Sequence, residues 1–301
     1  MELMNNSKKF VESNIKKELD PKLMEMMQYV VMALLLTLGD VAKERLPKIL
    51  AELNIYAEGK TVLEMAHEYL NNYQEDDALK FSDACVTRSL SFEDDGTFVE
   101  EKRNLIVSLK DGNDYFNIIS KLIHEFIHLL RFGGVQQEGH TYKIKDGISV
   151  SYFDADKRKL RRKHENMEEG IVQRYTNLAI HNLYNLLQSE KMDSSIYQSF
   201  MTGYKHCKFQ DYLLETSMID TLCKNPKFQE LVDQSFVEEE IPAQAIQYFN
   251  SVMNSSSAFL ELGKLLSKIR TDILNDQFPV NDFAHANAMA SNFLSKSRSY
   301  Q

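Results

Sequence analysis

Between 118 and 130 the apolar positions repeat with the period of a helix. Ile118, Ile119, Leu122, Ile123, Phe126, Leu129 and Leu130 fall at i, i+3, i+4 and i+7, the stripe of a helix with one face in a core. Lys121, His124, His128 and Arg131 form a separate polar stripe, which sets the histidines at the edge of the buried face. Asn113 or Asp114 can cap the start of this helix, and Gly133 its end.

On either side the period changes. Downstream, Thr141 to Lys145 alternates, Asp146-Gly147 turns, and Ile148 to Phe153 alternates again; Asp154-Ala155-Asp156-Lys157 reads as a second turn. The basic segment Arg158 to Lys163 follows, and it reads as a solvated hairpin or linker in preference to a nucleic-acid contact, because no aromatic residues interleave it. Upstream, the stretches Cys85 to Glu93 and Phe98 to Leu109 flank Asp94-Asp95-Gly96, a β-hairpin signal. Helical periodicity resumes from Ile171 through Tyr175, Leu178, Leu183, Leu186 and Leu187. The flanks are helical as well. Met24 to Leu38 is apolar enough for a buried helix, with Asp40, Lys43, Glu44 and Arg45 ending it short of a membrane span. Helices are expected over 212–223, 228–236 and 258–269, punctuated by Pro226, Pro242 and Pro279. The fold class expected is α+β and predominantly α-helical: a small sheet packed on the helix at 118–130, between helical N- and C-terminal flanks. The corresponding domain reading is 1–80, 81–190 and 191–301.

The central helix carries the chemistry. His124-Glu125-Phe126-Ile127-His128 places two imidazoles four residues apart, on one face, where they can share one metal ion. Glu125 lies beside that ion without binding it, positioned to accept a proton from a water the metal polarises. A catalytic zinc commonly takes three protein ligands. A third histidine six residues after His128 is excluded, because Gly134 stands there and Arg131 stands where that pattern has glycine. The other common solution is a glutamate from a later helix, and the candidate segment is Asn166 to Thr176.

With His124-Glu125-x-x-His128 followed by a helix opening Met167-Glu168-Glu169-Gly170-Ile171-Val172, the chain resembles the gluzincin, or thermolysin-like, class of zinc metallopeptidases. More narrowly, the opening is similar to the Asn-Glu-Gly-Ile-Thr of many bacterial and phage-borne proteins with this histidine motif, with Glu168 in place of the asparagine and Val172 in place of the threonine. The similarity covers about residues 84 to 190. It implies a zincin-like fold, Zn2+ held by His124, His128 and Glu169, Glu125 as general base, and a peptide or protein as substrate. In such folds an edge strand of the preceding sheet can pair with an extended substrate. The class also adds a Tyr or His to stabilise the oxyanion, for which Tyr175, His181, Tyr204, His206 and Tyr212 are candidates. Glu169 has a structural alternative, since Asn166-x-x-Glu169 also reads as a capping box and acidic residues suit a first helical turn. Glu168, His140, His164 or an aspartate then remain as other third ligands.

Charge and cysteine usage narrow the setting. A formal net charge of −9 over 301 residues argues against general affinity for nucleic acid or anionic membranes. Cys85, Cys207 and Cys223 have no disulfide or zinc-finger spacing, and no basic segment followed by an apolar stretch opens the chain. Both observations point to a reducing, cytoplasmic setting. The alternative function is a catalytically inactive, metallopeptidase-like protein that binds a partner; the intact Glu125 weighs against it.

Overall fold

A computed structural model describes residues 2–70, 82–92, 98–138, 141–154, 159–190, 192–206, 212–238 and 240–298. The expected turns at Asp94-Asp95-Gly96 and Ala155-Asp156-Lys157, together with His140 and Cys207, lie outside the described residues. In chain order the elements are α1 (Glu2–Asn14), α2 (Pro21–Glu52), β1 (Leu53–Glu58), α3 (Val62–Tyr69), β2 (Ala84–Phe92), β3 (Phe98–Ser108), α4 (Tyr115–Arg131), β4 (Phe132–Glu138), β5 (Thr141–Asp146), β6 (Ser149–Asp154) and β7 (Lys159–Lys163). Seven further helices follow: α5 (Glu165–Leu187), α6 (Ser195–His206), α7 (Leu213–Leu222), α8 (Pro226–Gln234), α9 (Ile241–Met253), α10 (Ala258–Leu274) and α11 (Val280–Ser297). The architecture is α+β and predominantly helical, with two small sheets.

Packing groups the chain into two units. Met1–Leu130 and Tyr175–Phe209 form the first; Arg131–Arg174 and Gln210–Gln301 form the second. In the first unit α2 supplies the core. Asp20 caps it, its Oδ1 accepting from Lys22 N at 2.8 Å, and Pro21 sits where a missing N–H costs nothing. Met26 to Leu34 are buried, and Tyr29 meets Phe200 of α6 with centroids 6.2 Å apart. Asp40 does not end this helix. A kink at Gly39 (φ 51, ψ −118) absorbs the break and the helix resumes to Glu52, with Pro47 inside it. By length and composition α2 is apolar enough to cross a membrane, and half of its most apolar stretch is buried inside the protein.

The first sheet has the order β1-β3-β2, with β1 parallel and β2 antiparallel to β3. Its one face takes α3, whose Val62, Met65 and Ala66 pack with Cys85 and Ile106. Thr61 and Glu64 close a capping box at the start of α3. The second unit holds the antiparallel sheet β4-β5-β6-β7. The strands predicted at 141–145 and 148–153 are β5 and β6, while Gly133-Gly134 falls inside β4, at a register shift between Phe132 and Gly134. Helices α8 to α11 close around Phe228, Phe249, Phe259 and Phe293; Phe249 stacks on Phe293 at 4.7 Å.

Candidate metal centre

Helix α4 starts at a defined cap. Asp114 Oδ1 accepts from Phe116 N at 3.0 Å and from Asn117 N at 3.4 Å, which satisfies amides that the helix itself leaves open. The apolar stripe read from the sequence is the buried one: Ile118, Ile119, Leu122, Ile123 and Phe126 are all inaccessible. His124 is buried, and Glu125 and His128 are half-buried. The two Nε2 atoms face each other at 3.2 Å, with the ring planes 68° apart. Two nitrogens each 2.0–2.1 Å from a tetrahedral zinc would be about 3.3 Å apart. The separation is that of a hydrogen bond between the two rings and is also compatible with one shared cation. Beside α4, the segment leading into β2 contributes Ser82, whose Oγ lies 3.4 Å from Lys121 Nζ. The Cys85 thiol is pushed up to about 12, first by burial and then by the Glu125 carboxylate, with Lys121 opposing.

At the other end of the motif Arg131, the last residue of α4, is not part of a wet stripe. Its side chain is fully buried and meets the buried Glu168 of α5. Arg131 Nε donates to Glu168 Oε1 at 2.5 Å and Nη2 to Oε2 at 3.0 Å; Nη1 donates to Ser235 Oγ at 2.7 Å, and the guanidinium lies 4.6 Å from the Phe236 ring centre. Ile148 N completes the carboxylate's partners at 2.8 Å. The turn at Gly147 must pass this carboxylate closely, for a Cβ there would stand 2.3 Å from Glu168 Oε1. Glu168 is thus a fully engaged structural anion.

The capping role foreseen for Asn166 and Glu169 is not taken up. His164 occupies the cap, its carbonyl accepting from Glu168 N at 3.0 Å, in a left-handed conformation (φ 62). Asn166 sits inside the first turn and donates to the Gly263 carbonyl at 3.5 Å. Glu169 is half-buried. Gly170 next to it has a physical reason: a Cβ there would stand 2.7 Å from the Glu215 carbonyl of α7, so only glycine admits that helix.

His124, His128 and Glu169 are a His/Glu set that could hold a metal ion. A second group, His128, Asp146 and Glu168, draws on the carboxylate that Arg131 already holds. The donor set of the first group, two imidazoles and one carboxylate, suits zinc.

The oxyanion candidates are differently disposed. His181 and Tyr204 bond each other at 2.6 Å on an exposed surface, and Tyr184 stacks on Tyr204 at 3.8 Å. His181 stands twelve residues beyond Glu169, about 18 Å along the helix axis. Tyr212 covers the Arg270 guanidinium at 4.3 Å, Tyr175 is buried, and His206 is exposed. Gln173 and Thr176, which follow Glu169 at i+4 and i+7, are buried, as is Ser120 one turn before His124; none of the three stands among the residues singled out above. Their signal was a polar residue at helical spacing from a candidate ligand inside an otherwise apolar face. Comparisons with protein families, with curated proteins and with solved structures return no match.

Proposed function

We propose that this chain is a zinc-dependent peptidase, with His124, His128 and Glu169 as the metal ligands and Glu125 as general base. One observation carries the reading: two imidazole Nε2 atoms 3.2 Å apart, one helical turn from each other, in a group with a glutamate carboxylate. Bound there, zinc supplies Lewis acidity toward a carbonyl and toward water. Glu125, half-buried between the two histidines in sequence, accepts the attacking water's proton and delivers it to the leaving amine. Arg131 keeps Glu168 out of the ligand set and fixes the first turn of α5, where Glu169 begins its approach. A peptide or protein substrate and a cytoplasmic setting accompany this proposal.

Metal analysis and a peptide-cleavage assay test it together. Glu125→Gln is expected to keep stoichiometric zinc and to lose hydrolysis by a factor of about 10² or more. His124→Ala is expected to lose the metal, and chelation to abolish cleavage by the unaltered protein. Stoichiometric zinc retained in a His124→Ala/His128→Ala double variant refutes the ligand assignment.

A further inference from the structure

The strand register of the second sheet places on one face residues that are scattered in sequence. Lys143, Tyr152 and Arg161 stand opposite one another across β5, β6 and β7, and Lys145, Val150 and Lys163 form the neighbouring row. Residues directly opposite point the same way, and alternate residues along a strand share a face. All six therefore project from one side. Tyr142 and Ser149, on the opposite side, are buried. The result is an apolar floor of Val150 and Tyr152 along β6 with two cations on each flank. The flanks are two strand spacings apart, about 9.6 Å, and the cations along each strand repeat at about 6.8 Å.

Arg161 and Lys163 are exposed, and Lys143 and Lys145 are half-buried. Among the described residues no carboxylate pairs with any of the four; the ion pair of this segment, Arg162 with Glu165, belongs to the other face. Protection of a sheet edge accounts for positive charge on β7. It does not account for Lys143 and Lys145, because β5 is paired on both sides. The adjoining row of this face carries Glu138, Asp154 and Lys159; the four cations of these two rows, in a chain of net charge −9, are lower in energy when a polyanion covers them.

We propose that this face docks an extended acidic polypeptide segment. Carboxylates at alternate positions of an extended chain share one face and repeat with the same period as the cations of β5 and β7, so that one face of the segment meets both rows while its stems cross the floor. A single-stranded nucleic acid fits less well. Sheet platforms for nucleic acid stack successive bases on open aromatic faces. Here there is one ring, and Lys163 Nζ already stands over it at 5.1 Å from the centroid. This docking goes beyond the peptidase reading and does not require it.

Fluorescence anisotropy on the full chain carrying Glu125→Gln, which keeps any cleavage out of the measurement, decides the matter. The probes are a short labelled peptide with glutamate at alternate positions, the same peptide with lysine for glutamate, and an oligothymidylate of matched length. The glutamate peptide is expected to bind, to weaken as salt rises, and to lose about tenfold in affinity with Lys143→Gln/Lys145→Gln or with Arg161→Gln/Lys163→Gln. The second pair is exposed, so that variant reports even where the first fails to fold, with melting temperature as the check. Equal binding of the lysine peptide, affinity unchanged in a folded double variant, or displacement of the glutamate peptide by the oligothymidylate would each overturn the assignment.

Discussion

Arg131 and Glu168 are both removed from water and answer each other with two hydrogen bonds, so their value lies in their pairing. Breaking a buried pair by deleting one member typically costs about 3–5 kcal/mol, because the survivor keeps its desolvation penalty without its partner, whereas replacing both by apolar groups is often near neutral. Arg131→Met is expected to lower unfolding stability by that amount in urea titration, and Arg131→Met/Glu168→Met to recover most of it. A double variant as unstable as the single one would show that the loss comes from packing of the arginine stem. His164 shows a second kind of residue-scale cost. Its positive φ is uncommon for a residue that carries a Cβ, and its buried Nδ1 has no hydrogen-bond partner among the described residues. Burial, and then the Lys163 charge, hold the imidazole below its ordinary pKa of about 6.5. A depressed pKa favours the neutral ring in the folded state, so its stabilising contribution is complete above about pH 6.5 and drains away as pH falls from there through the folded-state value. His164→Asn, which tolerates the left-handed region, is expected to reduce the drop in urea midpoint between about pH 7.5 and about pH 5. An unchanged drop would assign the acid sensitivity to other groups.

At the scale of elements, the histidine pair is only as well placed as the helix that carries it. Asp114 accepts from two first-turn amides of α4, so Asp114→Ala is expected to cost about 1 kcal/mol in urea denaturation, with the apolar core untouched. The stripe from Ile118 to Leu130 was legible because its period and its burial agree, and β5 and β6 were legible because Asp146-Gly147 separates two alternating runs. Other features resisted for physical reasons. Gly39 takes a conformation that lets a helix kink and continue, so the charges after Asp40 looked like a terminus. Arg131 shares the spacing of a wet stripe with Lys121 and His128, and only the buried Glu168 reverses its environment. Asn166 and Glu169 have capping-box spacing, but the cap falls two residues earlier, at His164, whose left-handed φ no local pattern announces. The basic run at Arg161 to Lys163 was visible in sequence; its alignment with Lys143, Lys145 and Tyr152 is a property of strand register.

At the scale of the molecule, neither unit is continuous in sequence. Residues 175–209 return to the first unit after the chain has built the second sheet. That return is structural, because Phe200 of α6 packs against Tyr29 of α2 at 6.2 Å and against Phe116 of α4 at 5.7 Å, and Gly203 lies where a Cβ would stand 2.4 Å from Phe116 Cγ. Asn182 adds a hydrogen bond to Thr37 at 3.1 Å, and Ser194 one to Glu25 at 2.5 Å. A chain ended after Leu130 keeps α2 and the first sheet but uncovers the aromatic side chains that α6 seals. Fully burying one large apolar side chain contributes about 1.5–3 kcal/mol, and several are lost at once against a net stability of about 5–15 kcal/mol for a whole protein. Residues 1–130 alone are therefore expected to show no cooperative thermal transition by circular dichroism, and addition of a peptide covering 175–206 to restore one. A sharp transition from residues 1–130 alone would mean that α2 and α4 complete their core without α6.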